Sequence, residues 1–198
     1  MGLTVKQNKE KFAPVPEGVH HAVCFAIYDL GTHHDPKFDK DVHSVQIMWE
    51  LPNEKLDNGA SRIVSKKYTL SLGEKANLRK DLQSWRGRAF TPDELEGFEL
   101  KNLLTVNAML QIIHTKKDDN IYANITSILP LYKGMEKLAP TIPMAFFSMQ
   151  DNDSIPEGTP GWIEDLIRSS SEWLISTEGE FSPAEDTQNV PPPTDVPF

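Results

Sequence analysis

A chain of 198 residues, 38% of them hydrophobic, is long enough to bury one good core and keep some length for appendages. Its formal net charge of −9 argues against coating duplex DNA in the histone manner, and a single cysteine, Cys24, excludes an intrachain disulfide or a thiolate metal cluster. No apolar run approaches the ~20 residues that span a bilayer, and MGLTVKQNKEKF lacks both the apolar centre of a secretory signal and the Ser or Thr of a myristoylation site, so the expected setting is a reducing cytoplasm with no membrane partner.

In chain order, residues 1–18 are polar, carry Pro14 and Pro16, and read as a flexible leader. His20–Leu30 is a nearly continuous apolar run that suits a central or barrel strand. The turn-rich loop Gly31–Asp41 leads to Val42–Leu51, where the large apolar Val45, Ile47, Trp49 and Leu51 alternate with Gln46 and Glu50 in the period of two of a half-buried strand. Asp57-Asn58-Gly59 marks a turn, and Ile63–Leu72 repeats the alternation with Val64, Tyr68, Leu70 and Leu72 as the apolar set. After Gly73 the period changes: Leu78, Leu82 and Trp85 fall at helical spacing, and Gly87 stands where a helix often ends in a left-handed residue. Thr91 followed by Pro92 signals a second, short helix start. Thr105–Lys117 and Ile121–Leu131, joined at Asp118-Asp119-Asn120, predict a β-hairpin.

From residue 135 the composition shifts to twelve acidic side chains against two basic ones, with most of the prolines. The expected division is a domain over 19–134, a linker over 135–159, an amphipathic helix over 160–176 and a disordered acidic tail over 177–198. Three strands, a helix and two more strands is the connectivity of an OB-fold, so the predicted class is mainly β: a five-stranded OB-fold-like barrel with a helix between strands three and four, plus a C-terminal helix and tail. A short β-sandwich is the alternative, although the helix has no natural place in one.

Charge points to a site. Between residues 61 and 90, eight basic side chains face only Glu74 and Asp81, a basic island in an acidic protein that suits a polyanion. A solvated helix face with ordinary surface lysines is the competing account. Single-stranded nucleic acid needs cations that follow phosphates and aromatic faces that stack on bases. Lys66, Lys67 and Tyr68 lie on the third strand; Lys66 and Lys67 point to opposite faces, and parity favours Lys67 for the groove. Trp49 and Tyr68 share the apolar parity and fit a core better than a platform, whereas Phe25 and Tyr28 sit on opposite faces of the first strand, so that one of them could be exposed. Lys75, Arg79, Arg86 and Arg88 surround the helix, and the loop residues Lys37, Lys40, Lys116 and Lys117 are placed to close over a strand. The six histidines form no helical metal motif such as HExxH, and neither a Gly-rich phosphate loop nor a nucleophile elbow is present. Neither an enzyme nor a cofactor or metal is therefore expected.

The block SKKYTLSLGEKANLRKDLQSWRGRAFT at 65–91, followed by a hairpin and by WIEDLIRSSSEW, resembles the single-stranded DNA-binding proteins encoded by bacteriophages and prophages. The resemblance covers roughly residues 17–175. It implies an OB-fold protein that binds and protects single-stranded DNA without sequence preference during phage replication or recombination. Separately, Asp195, Val196, Pro197 and Phe198 resemble the acidic tip of bacterial single-stranded DNA-binding proteins, which recruits replication, recombination and repair enzymes. Here Val196 stands where that tip has isoleucine, and Asp195 stands alone where it has a run of aspartates. Two other readings stay open: a non-catalytic adaptor whose barrel binds protein, and a histidine metalloenzyme. Homo-oligomerisation is compatible with all three.

Overall fold

In the computed structural model, which describes residues 13–118, 120–151 and 154–179, two long antiparallel strands form the spine: β1 (Gly18–Asp35) and β2 (Lys40–Lys55). β3 (Ser61–Thr69) pairs with the far side of β2. β4 (Asn107–Lys117) pairs with β1 over Gly18–Val23, and β5 (Asn120–Pro130) pairs with β4. The antiparallel order is β3-β2-β1-β4-β5. Between β3 and β4 lie α1 (Asn77–Arg86), α2 (Pro92–Glu96) and a 3₁₀ turn at Leu100–Leu103. The predicted five strands and intervening helix are thus present, and α1 buries the expected Leu78, Leu82 and Trp85. Gly87 ends that helix at φ 67°, and Thr91 and Glu94 form a reciprocal capping box on α2.

The sheet is not closed. Among the described residues no backbone ladder joins β3 to β5. Side chains occupy that seam instead: Ser84 Oγ on α1 donates to the Ile128 carbonyl at 2.6 Å, and Lys66 Nζ on β3 lies 3.2 Å from the Ile125 carbonyl. Carbonyls along the free edge of β5 are satisfied by a helix and a lysine rather than by a sixth ladder.

Two cores flank the sheet. The first gathers Ile27, Val45, Ile47, Trp49, Leu51, Val64 and Tyr68 with the apolar stripe of α1. The second gathers Phe25, Tyr28, Leu30, Met48 and Phe147 with Ile163 and Ile167. Phe25 and Tyr28 were expected on opposite faces; both are buried in this second core, and neither is exposed. The cause is a bulge in which Phe25 is the extra residue between the pairs Cys24–Trp49 and Ala26–Met48, so the parity of β1 reverses there. Before it Ala22 and Cys24 face the first core; after it Ala26, Tyr28 and Leu30 face the second.

The second core is built from residues expected to be linker and separate helix. β6 (Ala145–Phe147) runs parallel to β1 along Ala26–Tyr28, on the edge that β4 leaves free. One helix was expected over 160–176, but there are two, α3 (Gly161–Arg168) and α4 (Ser171–Gly179). The break falls in the serine run: buried Ser170 donates its hydroxyl back to the Ile167 carbonyl at 2.7 Å and accepts the Trp173 N–H at 3.3 Å, ending one helix and starting the next. Ser170 also rests on Gly31, where a Cβ would lie 2.4 Å from the serine Cβ and where φ is +69°. Glu172 then accepts from the Thr32 N–H at 2.8 Å and its hydroxyl at 2.6 Å. The predicted tail, including Asp195–Phe198, lies outside the described residues except for its first three, as does most of the leader.

Because both faces of β2 are covered, its polar positions are buried too. Glu50 is fully buried and accepts from the Thr141 N–H at 2.7 Å, the Thr141 hydroxyl and the Ile142 N–H at 3.2 Å. Burial pushes its carboxyl up, but the combined hydrogen bonds from Thr141, Ser61 and Ile142 outweigh this and leave it below the ordinary value of 4.5. A depressed carboxyl contributes stability that is complete above its unfolded pKa and drains as pH falls through the folded one. Urea denaturation should therefore show wild type losing more stability than Glu50→Gln between pH 6 and 3, and Glu50→Ala costing about 1–3 kcal/mol at pH 7. Equal acid sensitivity of wild type and Glu50→Gln would refute the assignment.

Candidate nucleic-acid interface

The alternation of β3 sorts the basic block. Its even positions turn toward α1: Val64 and Tyr68 are buried, and Lys66 is half-buried between them. One carboxylate oxygen, Asp81 Oδ2 on α1, accepts from Lys66 Nζ at 2.7 Å and from the Tyr68 hydroxyl at 2.8 Å. Burial and the neighbouring Asp81 raise the Tyr68 phenol far above its ordinary value, so it stays a proton donor to that carboxylate. Lys66 and Tyr68 are thereby committed to holding strand and helix together. Lys67, at an odd position, is exposed, as parity suggests.

Two open grooves meet at Lys67, Tyr68 and Thr69. The larger, of about 730 Å³, continues past Ser71 and Lys75 to Ala76 and Asn77 at the start of α1. The smaller, of about 470 Å³, continues past Ser44 and Val42 to His33, His34 and Pro36 of the β1–β2 hairpin. They share Lys67, Tyr68 and Thr69 in their linings, and each also carries one acid, Glu74 in the larger and Asp35 in the smaller. Among the described residues Lys67 and Lys75 enter no ion pair. The N-terminus of α1 has no side-chain cap and no acid in its first turn, so its N–H groups and positive dipole end add to the field at that end of the larger groove.

The arginines of the block do different work. Arg86 is largely buried, with its guanidinium 4.4 Å from the Phe90 ring centroid and 5.0 Å from that of Phe98, and it pairs with Glu94. Arg88 makes two bonds to the same carboxylate, at 2.7 and 3.0 Å. The hydrogen bonds from Arg88, followed by the Thr91 N–H and Arg86, hold the Glu94 carboxyl down to about 2. Arg79 is half-buried and donates to the Leu72 carbonyl at 3.2 Å. Of the helix cations named from sequence, only Lys75 lines either groove; Arg86 and Arg88 brace the α1–α2 corner.

The aromatic candidates are redistributed as well. Trp49 is fully buried, its ring 5.5 Å from that of Trp85, so it belongs to the core together with Tyr68, Phe25 and Tyr28. The exposed rings lie elsewhere. Phe38, 62% exposed, occupies the β1–β2 turn, with Lys37 Nζ 5.2 Å and Lys40 Nζ 5.4 Å from its ring centroid. Tyr122 is 50% exposed on β5; with Ile63, Ile121 and Arg62 it lines a third groove along the β3–β5 seam. Lys116 and Lys117 are exposed on the β4–β5 hairpin, Lys116 opposite Ile121. The signal for Phe38 was a lone aromatic in the polar turn Asp35-Pro36-Lys37-Phe38-Asp39-Lys40, where nothing local could bury it.

Each histidine has a local partner: His20 with Glu54, His21 with Asn107, His33 with the Leu30 carbonyl, His34 with Asp41, His43 with Asp29 and His114 with the Val15 carbonyl. Among the described residues no three metal-ligating side chains come together. No helix there is long and apolar enough to cross a membrane.

The division of labour between adjacent lysines is measurable. Lys66→Ala should cost about 1–3 kcal/mol in urea denaturation because it strands the half-buried Asp81, whereas Lys67→Ala should stay within about 0.5 kcal/mol. Equal costs would contradict the assignment. Searches against protein families and curated proteins give no match to this chain, so what the grooves can do follows from their own residues.

Proposed function

We propose that this chain binds single-stranded DNA across the β2–β3 face, on an OB-fold whose barrel is left open at the β3–β5 seam. The observation that carries the reading is the pair of adjoining open grooves that share Lys67, with Lys75 and the start of α1, which has no side-chain cap, along the larger one and neither lysine in an ion pair among the described residues. That combination suits a chain of phosphates better than a compact ligand, because the grooves are open and adjoin, and Lys67 and Lys75 stand at separate points along them. Strand order supports the fold: β3-β2-β1-β4-β5 is the sequence of neighbours that an OB barrel has before its last ladder forms. The role is non-catalytic coating and protection of DNA exposed during phage replication or recombination, in the cytoplasm of the host. The acidic tip Asp195–Phe198 serves as the tether for replication and recombination proteins.

The exposed Ile63, Ile121 and Tyr122 along the seam favour a second reading, an adaptor that binds protein there. The two readings separate on salt. Labelled oligo-dT should bind with an affinity that falls steeply as salt rises, and more tightly than the matching duplex. Lys67→Ala and Lys75→Ala should each lower the slope of log K against log salt by about 0.7. Binding that ignores salt, or no binding to oligo-dT at all, would reject the proposal in favour of the adaptor.

A further inference from the structure

Phe38 is the most exposed aromatic among the described residues and belongs to neither core. The turn that carries it is nevertheless closed by hydrogen bonds. The turn Pro36–Asp39 is closed by the Phe38 N–H donating to the Asp35 carbonyl at 3.3 Å and by the Lys37 N–H donating to Asp35 Oδ1 at 2.9 Å, and Asp39 takes a left-handed φ of 46°. Asp35 and Lys40 pair as the last rung beneath it. A phenyl ring has no polar atom to justify exposure, and here it is held out on a short closed turn with an ammonium on each of two flanking lysines.

The turn also stands in line with the grooves. Lys67 pairs with Gln46 on β2, and six residues back along that strand is Lys40, about 20 Å away at the usual rise of a strand. Along that interval runs the groove lined by His33, His34, Asp35, Pro36 and Val42, which reaches the first residues of the turn. A flexible polyanion held at Lys67 and running along that groove toward the hairpin would come to the turn that carries Phe38.

We propose that Phe38 is a base-stacking site that takes an unpaired nucleobase, with Lys37 and Lys40 turning from the ring to the phosphates on either side. This deepens, and rests on, the reading of the grooves as a single-strand site. Stacking on one ring needs a base whose face is free, which a duplex does not offer and which a base-free polyanion lacks. Phe38 would thus give the site its preference for unpaired nucleotides, while Lys67 and Lys75 give it affinity for the backbone.

The test compares wild type and Phe38→Ala, both as the full chain, for binding to labelled oligo-dT and to an abasic oligomer of equal length, by fluorescence anisotropy. The expected result is an affinity for oligo-dT about tenfold lower in Phe38→Ala, with abasic binding and salt slope unchanged and with Phe38→Tyr close to wild type. The inference is overturned if Phe38→Ala binds oligo-dT as wild type does, or if it weakens both oligomers equally. In those cases a loss on Lys67→Ala leaves the groove reading standing. Wild type that binds neither oligomer removes both the groove reading and the stacking site.

Discussion

One carboxylate oxygen, Asp81 Oδ2, decides how the third strand meets its helix. By accepting from both Lys66 and Tyr68 it fastens the inward face of β3 to α1, beside the β3–β5 seam that has no ladder of its own. A half-buried ammonium there needs a counter-charge, and a buried phenol needs an acceptor; a single aspartate supplies both. Once the even face of β3 is committed inward, the odd face is committed outward, because side chains alternate along a strand. The exposure of Lys67 at the junction of the two grooves follows from that anchoring rather than from any property of Lys67.

The same logic explains why the basic block does not act as one patch. Net charge counted along a sequence treats every cation as equivalent, but planar guanidinium groups and ammonium groups are used differently. Arg86 lies against Phe90 and Phe98 and, with Arg88, neutralises Glu94, which makes a rigid corner between α1 and α2. Apart from Lys66, the lysines of the block, flexible and strongly hydrated, are left at the surface. The positive charge presented to a ligand is thus smaller than the composition implies, with Lys67 and Lys75 as the block's exposed cations in the two grooves.

Much of this was legible in the residues because burial imposes a period. The odd positions of β2, the apolar stripe Leu78–Leu82–Trp85 and the stop at Gly87 all report it, and they suffice for the order of elements. The bulge at Phe25 left no mark, since an extra residue in a continuous apolar run reverses parity without changing composition. Nor did the second layer announce itself: Gln46 and Glu50 read as solvent-facing, yet residues far along the chain cover them. Those residues are polar and proline-rich on average, and a compositional average hides the few apolar side chains, such as Phe147, Ile163 and Ile167, that pack beneath the sheet. The seam was invisible for a different reason. Whether two edge strands zip together depends on what inserts between them, and here a helix serine and a strand lysine do.

The seating of α4 against β1 has a practical side. Ser170 lies against Gly31, and both oxygens of Glu172 are spent on Thr32, at the root of the very hairpin whose turn carries Phe38. Anyone trimming the chain to remove its acidic extension would be tempted to cut at the serine run, where helicity lapses. A cut there would unfasten the base of the hairpin as well as shortening the protein, and any change in ligand behaviour would then be misattributed to lost negative charge. A stop codon placed after Gly179 would keep that clasp whole.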